Sequence, residues 1–185
     1  MIKLNLGCGP TNFGDEWIHI DSGDYDHLDL KFNSITNLRW ESNSVDVIYA
    51  SHVLEYFDRQ EALEILSEWK RVLKKGGTLR LAVPDFDVMS RLYQDGEYPL
   101  DRFLGPLYGK MVMSDKIIYH KTVYDFDSIS KILSEEIGFN SVKRYNWRDT
   151  DHSHIDDCSQ AYLPHMDKDN GTLISLNVEC KKWTS

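Results

Sequence analysis

The run Lys3-Leu4-Asn5-Leu6-Gly7-Cys8-Gly9-Pro10 alternates apolar and polar residues and then breaks into Gly-x-Gly. That is the pattern of a first parallel strand opening into a ligand-binding turn. Glycine at two of three positions allows positive φ and lets backbone amides approach a ligand, after which a helix N-terminus can face it. A dinucleotide loop needs a third glycine, and Asn12 stands in its place, so no pyrophosphate seat is predicted. A second strand, Trp17-Ile18-His19-Ile20-Asp21, ends on a carboxylate that can accept hydrogen bonds from both hydroxyls of a ribose.

Alternating β and α elements continue downstream. Val45 to Ala50 and Thr78 to Val83 are short apolar runs of the buried parallel kind. Between them the pattern predicts a helix capped by Asp58 with Glu61 three residues on. Leu63, Leu66 and Leu73 mark its face, and Lys74-Lys75-Gly76-Gly77 supplies a basic last turn and a stop. A further helix is expected with Asp127 as cap, Ile129, Ile132, Leu133 and Ile137 on one face, and Gly138 as stop. Strands near Val142 to Trp147 and Leu173 to Cys180 complete an α/β sheet whose ligands sit at the carboxyl ends of the strands.

A chain of 185 residues suffices for one domain. Its net charge of −9, with no basic cluster, argues against nucleic acid as partner. Cys8, Cys158 and Cys180 are odd in number and lack metal-type spacing, which predicts no zinc site and a reducing, cytoplasmic setting. No apolar run approaches the length of a membrane span, so no membrane insertion is expected.

Five segments together resemble class I S-adenosylmethionine-dependent methyltransferases, in particular a small single-domain group of type 11 associated with surface glycans. They are Leu4 to Gly9, Asp29-Leu30, Ser44 to Glu55, Glu68 to Leu79 and Val83-Pro84-Asp85, with a looser likeness in Leu133 to Phe139 and Ser175 to Glu179. The resemblance implies a Rossmann-like, doubly wound, mostly parallel seven-stranded sheet with helices on both faces and a C-terminal antiparallel strand. One domain spans 1–185, with a substrate-covering insertion at about 86–125. By the same resemblance Gly7, Cys8 and Gly9 pass the methionine part of S-adenosylmethionine, and Asp21 holds its ribose. Asp29 and Leu30 flank the adenine, while Ser51 and His52 border the methionine and the substrate. Asn5 departs from the group, which has an acidic residue there. It can hydrogen-bond but offers no charge to the cofactor's ammonium.

Methyl transfer from a sulfonium is an in-line displacement that needs positioning, and it needs a base only if the acceptor must lose a proton. His52, His120 and His154 are the catalytic candidates, the last two as proton acceptors and His52 as a positioning group; Asp85 also falls near the strand ends. His52-x-x-Glu55 raises a metal question, but capping and substrate contact are the preferred roles and no metal is expected. Asp149 to Asp157 reads as a solvated loop in which His154 or Asp156 stays open as a base. Tyr93, Tyr98, Phe103, Tyr108 and Tyr119 could line a sugar or a ring, a core role being equally acceptable. The expected activity is O-methylation of a small molecule or of a sugar in a surface glycan, the sugar resting on resemblance alone. A nicotinamide-dependent oxidoreductase or epimerase is the alternative, disfavoured by Asn12 and by the lack of a Tyr-x-x-x-Lys pair, and a non-catalytic binding module is a third.

Overall fold

The computed structural model describes residues 1–31, 34–113 and 116–183. In chain order the main elements are β1 (Lys3–Leu6), β2 (Ile18–Asp21), β3 (Leu30–Lys31), β4 (Val45–Ser51), α1 (Arg59–Val72), β5 (Leu73–Pro84) and α2 (Phe86–Gln94). Then follow α3 (Leu104–Tyr108), the hairpin β6 (Met111–Met113) and β7 (Lys116–Ile118), and α4 (Phe126–Lys131). The chain closes with β8 (Asn140–Arg144), the short pair β9 (Tyr162–Leu163) and β10 (Thr172–Leu173), and β11 (Ser175–Lys181). No described helix is long and apolar enough to cross a membrane.

The main sheet has seven strands in the order β3-β2-β1-β4-β5-β11-β8, parallel from β3 through β5. β11 runs antiparallel to both β5 and β8, with Ser175 opposite Pro84 and Lys181 opposite Thr78. A dinucleotide fold continues in parallel to its sixth strand, so this inserted return strand separates the two architectures. It also brings the start of β11 to the edge where β1, β2 and β4 end. Alternation along the strands sends Leu4, Leu6, Ile48, Leu79, Leu81 and Val178 to one face. There they meet Ala62, Ile65, Leu66 and Trp69 of α1 and Ile129 of α4, all buried.

α1 starts as its sequence predicts: the Asp58 carboxylate accepts from the Gln60 and Glu61 amides at 2.9 Å each, and Glu61 returns the bond to the Asp58 amide. Its end differs. Leu73 is already extended and opens β5, so Lys74 to Gly77 lies in strand rather than closing the helix. The orphaned carbonyls of Lys70, Arg71 and Leu73 accept instead from the Lys182 ammonium at 2.6, 3.2 and 2.9 Å. α4 is capped by Asp125 with Ser128, two residues before the expected Asp127, and widens into a π-helical turn over Ile132–Glu136.

The helical cover is lopsided. Only about ten residues join β1 to β2, too few for a crossover helix, and none forms there. The face bearing Val47 and Tyr49 is covered by loop residues Phe13, Trp17, Tyr145 and Ile155. The expected helix N-terminus after the glycine turn is therefore absent, and a ligand at that turn meets backbone and side chains only.

Candidate active site

The ends of β1, β2 and β4, Ile174 just before β11, residues 105–112 with His120, and the segment 156–166 line a cavity of about 1050 Å³, beside a smaller hollow of about 350 Å³. Both share Gly7, Asp21, His52, Tyr56 and Met111. Gly7 and Gly9 have φ of +66° and +54°, and a Cβ on Gly7 would collide with the Val53 side chain. Glycine at position 7 is thus required by both conformation and space. Asp21 is pinned across the two turns: its Oδ2 accepts from the Gly9 amide at 2.8 Å and its Oδ1 from the Gly23 amide at 2.7 Å. Each oxygen keeps a lone pair for a further donor.

On the same floor Asn5 and Ser51 are notable for what they lack. Asn5 Nδ2 and Ser51 Oγ are buried without a hydrogen-bond partner, yet both residues line the cavity. Unsatisfied buried polar groups are costly, and a ligand supplying an acceptor and a donor would satisfy them. Cys8 has its thiol pushed up to about 12 by burial, with Asp21 adding to the shift, so it is a neutral wall residue rather than a nucleophile.

At the end of β4, His52 takes φ +54°, a strained value for a residue with a side chain. Its Nδ1 lies 3.3 Å from Glu55 Oε1 and its Nε2 3.3 Å from the Ser175 hydroxyl. Burial and the nearby His120 push its pKa down to about 3. His120 lies across from it, after the β6–β7 hairpin. Its Nδ1 donates to the Pro106 carbonyl at 2.8 Å, and the Tyr56 ring meets it edge-on at 4.5 Å. Nε2 is left with the lone pair, 3.8 Å from Glu55 Oε1. Burial also lowers the His120 pKa. Glu55 sits behind both rings, fully buried, with neither oxygen in a hydrogen bond, and burial pushes its pKa up to about 8.

These two shifts predict opposite pH limbs in stability. For Glu55 the folded state holds a proton that the unfolded chain releases, so stability falls as pH rises from about 4.5 to about 8. For His52 the unfolded chain takes the proton first, so stability is complete above 6.5 and falls as pH drops toward about 3. Glu55→Gln should therefore raise the melting temperature at pH 8 relative to pH 6, compared with the parent, by a few degrees. Parallel melting curves for parent and variant from pH 6 to 8 would show that Glu55 carries no such penalty.

Several expected site residues lie elsewhere. Asp29 accepts from the His19 amide at 2.7 Å and faces its ring at 3.2 Å, and neither it nor Leu30 lines the cavity. The smaller hollow, where Ile35, Val53 and Phe57 surround Asp21, is the better apolar slot for an aromatic base. His154 is exposed and outside the cavity, whereas its neighbour His152 is buried, stacked on Phe13 at 4.0 Å with neither ring nitrogen bonded. Asp85 is committed to capping α2 and to the Arg144 guanidinium at 2.9 Å. The His52 and Glu55 side chains do not cap the short turn at Leu54–Tyr56. Of the five aromatics, none lines the cavity; Phe103 is core, and Tyr93, Tyr108 and Tyr119 are exposed. Cys158 and Ser175 were missed because a loop and a strand from the C-terminal third bring them to the site, and Tyr49 and Tyr56 were missed although they lie on β4 and on the turn after it.

S-adenosylmethionine fits the residues present. The pinned Asp21 faces a position for ribose hydroxyls, the unpartnered Asn5 and Ser51 groups suit an amino acid head, and the Gly7 turn admits close backbone approach. Residues 19–81 match the type 11 methyltransferase domain family. No curated protein matches the chain. Among solved structures, a S-adenosylmethionine-dependent methyltransferase from Methanosarcina mazei aligns with TM-score 0.57 at 14% identity, covering 99% of this chain and 92% of that one. One from Archaeoglobus fulgidus aligns with TM-score 0.57 at 16% identity, covering 97% and 85%. The 1,6-didemethyltoxoflavin-N1-methyltransferase of Burkholderia thailandensis, solved with S-adenosylhomocysteine, aligns with TM-score 0.56 at 10% identity, covering 98% and 71%. At such identities the likeness to these structures is one of fold.

Proposed function

We propose that this chain, which shares its fold with S-adenosylmethionine-dependent methyltransferases and matches a methyltransferase domain family over residues 19–81, is such an enzyme and methylates a hydroxyl of an uncharged small molecule or of a sugar unit in a surface glycan. The observation that carries this reading is His120, a neutral imidazole on the cavity wall whose tautomer is set by the Pro106 carbonyl. A hydroxyl holds its proton too tightly to release it unaided, whereas an amine attacks through a lone pair it already has. The described lining contains a single cation, Lys31, beside four aspartates, which disfavours a phosphorylated or carboxylated acceptor, and nucleic acid with it.

When bound, S-adenosylmethionine supplies a methyl group activated by its sulfonium. The protein's part is to hold and exclude. Asp21 binds the ribose, Asn5 and Ser51 the amino acid head, and the Gly7 and Gly9 turn the chain between them. His52 positions the acceptor end from its strained place just past β4, and His120 Nε2 takes the acceptor's proton. Residues 86–125 act as the substrate cover, since Gly105, Pro106, Gly109 and Met111 all face the cavity from it. A cytoplasmic setting accords with Cys8, Cys158 and Cys180 all being free thiols.

The test is transfer of tritiated methyl from S-adenosylmethionine to matched acceptors, neutral glycosides and phenols beside their phosphorylated or carboxylated counterparts. We expect hydroxyl methylation with kcat/KM about tenfold or more in favour of the neutral member of each pair. Methylation confined to nitrogen or carbon, or a preference for the anionic member, would overturn the reading.

A further inference from the structure

Glu55 is fully buried at the end of β4, between two histidines that line the cavity, and neither of its oxygens has a hydrogen-bond partner. A carboxyl group in that position is expensive to keep. Leu54 and Tyr56 beside it pack conventionally, and nothing in the turn's backbone requires an acid: the amides of Lys121 and Thr122 bond the Glu55 backbone carbonyl, at 2.8 and 3.3 Å, and not its side chain. The side chain reaches His52 Nδ1 at 3.3 Å and His120 Nε2 at 3.8 Å. Its other titratable neighbours are Tyr56 on the same turn, Tyr124 from the strand-like segment before α4, and Cys158 from the C-terminal loop. Tyr56 and Tyr124 are pushed up to about 12 and Cys158 to about 11, each first by burial, so all three stay neutral near physiological pH. The nearest cation in this group, Arg59, lies over the face of the Tyr124 ring and is exposed beyond it.

We propose that Glu55 is a positioning residue that stores the acceptor's proton, reached through His120. This rests on the reading of His120 as the proton acceptor. In the step the acceptor's O–H bond breaks and its electron pair forms the bond to the methyl carbon. The pair of the old carbon–sulfur bond stays on sulfur, which becomes a neutral thioether. The proton passes to His120 Nε2, then to Glu55 Oε1, and leaves to water when the site opens. One positive charge on sulfur and one negative charge on Glu55 disappear together, so the transfer leaves the net charge of the site unchanged. Away from water that matters more, because the buried Glu55 carboxylate, 3.8 Å from His120 Nε2, is the counter-charge that an imidazolium there would meet. The opposite pKa shifts agree with this direction: burial lowers His120 and raises Glu55 to about 8, so a shared proton comes to rest on the carboxyl group.

The experiment is Glu55→Gln, which keeps shape and removes the charge, measured for kcat, KM, S-adenosylhomocysteine affinity and melting temperature from pH 6 to 9.5. The parent should show kcat rising with pH through about 8, as the carboxyl group ionises and can receive the proton. Glu55→Gln should lose that limb and at least about tenfold in kcat at pH 8.5, with KM and cofactor affinity close to parental. Glu55→Asp should retain the limb at a lower plateau, which a purely structural role would not produce. Parental kcat with an unchanged limb in Glu55→Gln would overturn the proposal, as would a flat parental profile if the Gln variant does not fold. His120→Ala separates the two readings. Parental turnover there sinks the base assignment itself, whereas lost turnover in His120→Ala with none lost in Glu55→Gln sinks only the storage role.

Discussion

Replacing His120 by Ala is expected to lower methyl transfer by about a hundredfold to ten-thousandfold while leaving S-adenosylhomocysteine affinity nearly unchanged. The separation follows from position. His120 comes from the segment after the β6–β7 hairpin, its Nδ1 is tied to the Pro106 carbonyl, and its ring packs on Tyr56, whereas the residues proposed to hold the cofactor are Gly7 and Gly9, which follow β1, and Asp21, which ends β2. Removing the ring deletes a cavity-lining imidazole whose Nε2 has no hydrogen bond among the described residues, whereas His52 Nε2 faces the Ser175 hydroxyl. His154→Ala serves as the control, since that side chain is exposed and off the cavity, and it should keep parental turnover. Single-turnover transfer beside calorimetric titration decides the matter. Near-parental turnover in His120→Ala would mean that proximity alone drives transfer.

Asp21→Ala is expected to weaken cofactor binding by about tenfold to a hundredfold, the range for losing charge-assisted hydrogen bonds to the ribose. The structure adds a second loss. The Asp21 carboxylate also holds the Gly9 and Gly23 amides, so the variant leaves two backbone donors without their partner and should melt a few degrees lower. Asp29→Ala makes the matched comparison: its carboxylate serves His19 and not the cavity, so affinity should stay parental. If Asp29→Ala weakens binding and Asp21→Ala does not, the ribose lies one strand further out than assigned.

Much of this was open to a reader of the chain alone. The first strand, its two-glycine turn, Asp21 at the end of β2, the Asp58 and Glu61 capping box and the apolar runs of β4 and β5 are local patterns, set by residues a few positions apart. Periodicity and cap chemistry act over such distances, so they survive whatever the rest of the chain does. Helix ends were less legible. Whether Leu73 to Gly77 closes α1 or opens β5 turns on pairing with β4 and on Lys182, over a hundred residues away, which satisfies the helix carbonyls.

The sequence by itself determined the class of fold, the two-glycine turn and the carboxylate at the end of the second strand, because each depends on backbone geometry that neighbouring residues impose. Tertiary structure alone decided which polar groups meet. Asp29 and Asp21 are both strand-associated acids, yet one is consumed by His19 and the other spans two turns. His152 and His154 differ by two positions, yet one is buried against Phe13 and the other faces water. Glu55 came to lie between His52 and His120 only because the segment after β7 folds back across the end of β4, and Ser175 reached His52 only because β11 runs antiparallel. Burial and ionisation are properties of such long-range packing, not of spacing along the chain, and that packing is what sets a buried glutamate between two histidines, with the ionisation of all three shifted by burial.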